Sequence, residues 1–149
     1  MQKLDFDQAL DLVLSRDPRY GRGAYHFLRE ALDFTLKQRR KLKDVAAQLA
    51  SSHVSGQQLL DGIRLYALKE FGPMVPTVFE DWGVRKCEDF GEIVFNLIAV
   101  GVFGKNETDS VEDFKGGYTF KDAFVLPFLP DAPQPHRRAL MDQPAKELN

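Results

Sequence analysis

The stretch 55–104, SGQQLLDGIRLYALKEFGPMVPTVFEDWGVRKCEDFGEIVFNLIAVGVFG, decides the fold, and it holds the only Trp and the only Cys of the chain. Ser55 and Gln58 stand three apart, the spacing of a capping box in which each side chain satisfies the other's backbone N–H. Leu60, Ile63, Ala67 and Phe71 follow at intervals of three and four, with Leu59 and Tyr66 beside them, so they share one face of a helix. Gly72 can take the positive φ of a helix end and Pro73 cannot continue the helix. The spacing predicts a helix over about 57–71.

Pro76 suits a first helical turn, where its missing N–H has no partner to lose. Val78, Phe79 and Trp82 then lie on one side of a short helix that Gly83 closes. A third helix is predicted from Cys87 or Glu88, with Glu88, Asp89 and Glu92 near its positive dipole end. Phe90, Ile93, Val94, Leu97 and Ile98 make a wide apolar stripe on it, and Gly101 ends it. Val102-Phe103 and Tyr118-Thr119-Phe120 flank the polar run KNETDSVEDFKGG, which predicts a small β-hairpin. Three helices and a hairpin follow the order of a winged helix, without the strand such domains place between their first two helices.

Before this unit, Phe6, Ala9, Leu10, Val13 and Leu14 predict a helix that starts near Asp5 or Asp7 and runs to Arg16. RYGRG is a turn, because a phosphate loop needs a preceding strand and a following Lys-Ser/Thr. A second helix is expected over about 23–40, with Leu28, Ala31, Leu32 and Thr35 on one face. It ends in the basic run Lys37, Arg39, Arg40, Lys41 and Lys43. Segment 44–50, DVAAQLA, can add a further turn, and Ser51-Ser52-His53 links to the capping box. After Phe124 five of the eight prolines fall in 25 residues, which predicts an extended tail. The expected fold class is therefore mainly α. Residues 1–124 form a helical domain, with N-terminal helices over 1–52 and a winged-helix-like unit over 53–124, and 125–149 form a Pro-rich tail.

Composition bounds the function. A chain of 149 residues with 44% hydrophobic residues and 12 Phe can build a core. No run approaches 18 consecutive apolar residues, the N-terminus lacks the order of a signal peptide, and one Cys allows no internal disulfide; a cytoplasmic protein is expected. Residues 1–72 carry 12 Lys and Arg against 9 Asp and Glu, and residues 73–149 carry 8 against 13. A basic half and an acidic half attract partners of opposite charge, including a second copy.

The blocks YGRGAYHFLREALDFT (20–35), HVSGQQLLDGIRLYALKEFG (53–72) and VFEDWGVRKCEDFGEIVFNLIAVGVFGKNETDSVEDFKGGYTFKDAF (78–124) resemble a small uncharacterised family found mainly in planctomycete and verrucomicrobial bacteria. The resemblance covers most of 1–124 and stops before the tail. In that family a Ser or Thr commonly stands where this chain has Cys87. The resemblance implies a shared fold and no activity, since the family has none assigned.

The chemistry-bearing residues are sparse. His26, His53 and His136 are scattered without metal-ligand spacing, and Asp109, Glu112 and Asp113 lack the ligand pattern of a calcium loop, so no metal or cofactor is expected. Cys87 has no local His signature and reads as a small apolar residue. Asp89-Phe90-Gly91 spells a kinase triplet without any other kinase element. The third helix carries three acids and no base, so it repels a duplex, and nucleic acid is an unfavoured partner. The reading that remains is a non-enzymatic protein-interaction or adaptor module. Its expected contacts are the basic run Lys37–Lys43, the acidic Glu88, Asp89 and Glu92, and the apolar Phe128 of the tail. The alternative is a winged-helix regulator that binds nucleic acid through its basic N-terminal surface.

Overall fold

Helix α2 (Arg22–Leu42) and helix α3 (Gly56–Phe71) form the closest packed pair in a computed structural model that describes residues 5–42, 54–104 and 110–130. Their contact is close because Gly62 has no side chain: a Cβ there would sit 1.7 Å from Thr35 Oγ1. Thr35 is buried, and its hydroxyl donates to the Ala31 carbonyl at 2.7 Å, so the polar atom is satisfied inside α2.

Helix α1 (Phe6–Arg16) begins with a capping box: Gln8 N–H donates to Asp5 Oδ1 at 2.8 Å, and Asp5 N–H donates to Gln8 Oε1 at 3.0 Å. The box read at α3 is present too, with Gln58 N–H donating to Ser55 Oγ at 3.1 Å and Ser55 N–H to Gln58 Oε1 at 2.9 Å. A 3₁₀ turn, Gly72–Met74, leads from α3 into helix α4 (Val75–Trp82). Gly72, Gly83 and Gly101 all have positive φ, at 52°, 81° and 83°, at or just beyond the ends expected for them. Helix α5 (Cys87–Ala99) follows. The chain then returns over α5 and α3 through a 3₁₀ turn at Val111–Phe114, a π turn at Lys121–Val125 and a 3₁₀ turn at Leu126–Phe128.

One continuous core runs from Leu10 of α1 to Phe124. Its centre is aromatic. Phe79 of α4 packs against Phe27, Phe90, Phe120 and Phe124, and Trp82 stacks on Phe79 with ring centroids 5.8 Å apart. The RYGRG turn serves this cluster. Gly21 N–H donates to the Trp82 carbonyl at 2.9 Å, and a Cβ at Gly23 would lie 2.4 Å from the Trp82 indole nitrogen. Trp82 is therefore a half-buried core residue and not a projecting anchor.

The mainly α class holds, but the expected hairpin does not form: no strand occurs among the described residues. After Gly101 the chain folds back on the end of α5, where Val102 N–H donates to the Leu97 carbonyl at 3.0 Å. Tyr118 faces inward instead of pairing along a ladder. Its hydroxyl donates to the Leu60 carbonyl at 2.7 Å, and its carbonyl accepts from Cys87 Sγ at 3.2 Å. The apolar side chains that suggested strands pack on helices instead, with Val102 and Phe103 still half-exposed, and no wing is formed by the described residues. The tail also differs at its start, where Leu126–Phe128 is a 3₁₀ turn and not extended chain. Residues 131–149, Lys43 to His53, and Lys105 to Asp109 lie outside the described residues. None of the described helices is long and apolar enough to cross a membrane.

Candidate functional site

Helix α5 carries a second, half-exposed apolar row beside the one it buries. Phe90, Ile93 and Leu97 are buried against the other helices. Val94, Phe95 and Ile98 lie next to that row, half-exposed. Together with Leu32 and Leu36 of α2, Val54 and Leu59 at the start of α3, and Val102, Phe103 and Phe114, they line a concavity of about 370 Å³. That volume falls within the range of pockets that take small ligands or a few large side chains.

The polar lining of this groove is nearly as extensive as the apolar, and its side chains are locally engaged. Ser55 Oγ accepts from Gln58 N–H, Ser110 Oγ accepts from Glu112 N–H at 3.0 Å, and Asp113 Oδ2 accepts from Ser110 N–H at 2.9 Å. A nucleophile, a base and an orienting group do not converge there, and groups of three or more His, Cys, Asp or Glu placed to hold a metal are absent among the described residues. What the groove offers is a mixed surface whose apolar part binds by water release.

The acidic residues expected at a contact surface sit at the opposite end of α5. Asp89 is tied into the fold. Its Oδ2 accepts from Arg85 and Lys86 N–H at 2.8 and 3.2 Å, and its Oδ1 accepts from the Tyr20 hydroxyl at 2.7 Å. It thus reaches back to the backbone of Lys86, the N-cap residue, and closes the helix start. Burial raises the Tyr20 hydroxyl above its ordinary range, so it stays a donor. Glu92 accepts from Arg19 at 3.3 Å, and Glu88 is half-buried in the first turn. Arg19 also grips Asp17 through two hydrogen bonds of 2.9 and 2.7 Å, while Asn96 Nδ2 donates to Asp17 Oδ2 and to the Tyr25 hydroxyl oxygen, both at 3.0 Å. This network staples the α1–α2 turn to α5.

The Arg19 guanidinium holds the Asp17 carboxyl well below its ordinary value of 3.8. A lowered folded-state value gives stability that is complete above the unfolded value and is lost as pH falls through the folded one. Asp17→Asn is therefore expected to cost about 1 kcal/mol at neutral pH, a modest figure because Arg19 is half-exposed and screened. The gap between the two proteins should close as pH drops below about 4. Urea unfolding at a series of pH values checks this, and a gap that stays constant into acid would refute the assignment.

The basic residues fall on two faces of α2. Lys37 pairs with Asp33 at 3.0 Å on an exposed face. Arg39 is half-buried, Arg40 and Lys41 are exposed, and Lys43 lies outside the described residues. Arg39 follows Leu32 by seven and Leu36 by three, so it continues the groove-lining row of α2. Phe128 is 45% exposed at the end of its turn, with Leu129 beside it at 42%. Cys87 is buried, and burial pushes its thiol up to about 11, which leaves it protonated and unreactive at neutral pH.

The groove was the feature least visible in the sequence. The one available signal was the width of the α5 stripe, five apolar residues where three suffice to meet the core. In comparisons with protein-family models, with curated proteins and with solved structures, nothing matches this chain.

Proposed function

We propose that this protein is a non-enzymatic interaction module, and that its contact surface is the groove between α2, α5 and the residues 102–104 and 110–114. The observation that carries this reading is the second apolar face of α5. Val94 and Phe95, which pack partly against the core, and Ile98 are all half-exposed beside the buried row of Phe90, Ile93 and Leu97. Kinship with the uncharacterised planctomycete and verrucomicrobial family is part of the proposal and adds no activity to it.

The regulator reading draws on the basic end of α2 alone. Residues 93–104 of α5 and its extension, IVFNLIAVGVFG, contain no charge, and a groove with such a wall suits side chains and not phosphates.

The test is capture from native lysate with the wild-type chain and with Ile98→Glu. Ile98 is half-buried, so a carboxylate there desolvates only when the groove is filled. Partners recovered by the wild type are expected to fall at least ~10-fold with Ile98→Glu, while thermal unfolding of the variant stays close to that of the wild type. Partners retained in full by a folded Ile98→Glu protein would sink the proposal.

A further inference from the structure

We infer that residues 110–115 form a latch that lifts from the helices as one unit while the rest of the core stays folded, with Gly116 and Gly117 as its hinge. The turn is self-contained. Ser110 N–H donates to Asp113 Oδ2 at 2.9 Å, and Glu112 N–H donates to Ser110 Oγ at 3.0 Å. Asp113 N–H donates to the Ser110 carbonyl and Lys115 N–H to the Glu112 carbonyl, both at 3.0 Å. Lys115 Nζ pairs with Glu112 at 2.8 Å. These bonds all lie within the turn, so it keeps them when it leaves the helices.

What attaches the turn is small. Phe114 is the one buried side chain from Ser110 to Gly117. Its ring seats where α5 has no side chain: a Cβ on Gly91 would lie 3.0 Å from Phe114 Cγ. Gly56 makes the same room on α3, where a Cβ would lie 2.9 Å from the Asp113 carbonyl oxygen. Among the described residues, two hydrogen bonds tie the turn to a helix. Both come from the exposed Gln57 amide, to the Asp113 carbonyl at 2.8 Å and to the Lys115 carbonyl at 3.0 Å. Gly116 has a φ of 73° and both hinge glycines are exposed, so the backbone pivots there at little steric cost. Tyr118 begins the fixed part, with its hydroxyl on the Leu60 carbonyl. Helix α3, by contrast, buries Leu59, Leu60, Ile63 and Ala67. A segment with so little buried apolar area opens at lower free energy than such a helix. The hinge lies over the first turn of α5, where a Cβ on Gly117 would sit 3.1 Å from Cys87 Sγ. Lifting the latch uncovers this thiol, and it removes one wall of the groove, which Ser110, Asp113 and Phe114 line.

Cys87 is the only Cys of the chain and reports the motion. Its labelling by an aromatic disulfide reagent is followed on the full chain at low urea concentrations, beside global unfolding read by tryptophan fluorescence. The labelling rate is expected to depend on urea much more weakly than global unfolding does, because opening exposes little surface. Gln57→Ala should speed labelling about 5-fold through the loss of two exposed hydrogen bonds, with the unfolding midpoint unchanged. Phe114→Ala should speed it at least ~10-fold. Asp17→Asn weakens the staple between the α1–α2 turn and α5 instead, and it should leave the labelling rate as it is. Labelling with the full urea dependence of global unfolding would mean that the thiol is reached only when the whole chain unfolds, and would overturn the latch. Acceleration by Asp17→Asn in proportion to the stability it loses would overturn it as well. So would a wild-type rate in a folded Phe114→Ala protein. Should Phe114→Ala fail to fold, Gln57→Ala decides: an unchanged rate there overturns the inference.

Discussion

Phe79→Ala is expected to destabilise the protein by about 3–5 kcal/mol, the largest loss of any single core truncation here. Phe79 is 1% exposed, and its ring meets five others: Phe27 at 5.7 Å, Trp82 at 5.8 Å, Phe90 at 5.4 Å, Phe120 at 5.4 Å and Phe124 at 5.3 Å. These rings come from α2, α4, α5 and the π turn, so a cavity at Phe79 cannot collapse by a shift of one element. The loss combines the transfer of the ring to water, the unfilled cavity and several aromatic pairings worth about 0.5–1.5 kcal/mol each. Phe79→Leu keeps most of the volume and is expected to cost less than half as much. Chemical denaturation of the two variants measures both. A loss under about 1 kcal/mol for Phe79→Ala would mean that the cluster does not hold α4 in place.

The readings that held are those whose physics is local. Ser55-x-x-Gln58 needs only four residues to close a helix start, and Gly72, Gly83 and Gly101 need only their own φ to end one. The readings that failed required knowing what lies across the core. Val102, Phe103, Tyr118 and Phe120 have strand-forming side chains, yet each packs on the hydrophobic core instead of pairing in a sheet. Asp89 was expected near the positive end of the helix dipole, where it stands, but its tie to the fold was not visible. Its partner Tyr20 lies 69 residues earlier, a distance over which spacing carries no information. The groove is built from α2, the start of α3, α5 and residues 102–104 and 110–114. Its α5 wall is indistinguishable from core in sequence until Phe90, Ile93 and Leu97 are known to fill the interior.

Gly62 offers the complementary experiment, in which atoms are added. A glycine inside a helix gives up about 1 kcal/mol relative to alanine, and α3 carries Gly62 at its middle and fully buried. The propensity loss is offset by the approach of α2. A Cβ on Gly62 would lie 1.7 Å from Thr35 Oγ1, 2.8 Å from its Cβ and 3.1 Å from its Cγ2. Thr35 cannot swing away freely, because its hydroxyl is held by the Ala31 carbonyl and its surroundings are buried. Gly62→Ala must therefore push α2 and α3 apart, and overpacking of this kind costs about 1–3 kcal/mol or more even after the gain in helix propensity. The double variant Gly62→Ala/Thr35→Ala removes the hydroxyl and methyl and should recover part of the loss, leaving only the 2.8 Å approach of the two Cβ atoms. Additive effects of the two substitutions would show that the helices do not touch at this point, whereas recovery in the double variant would place the contact between these two side chains. The consequence reaches the groove as well. Leu32 and Leu36 neighbour Thr35 on α2, and Leu59 stands one turn before Gly62 on α3, so a wedge at Gly62 should also loosen this wall of the groove.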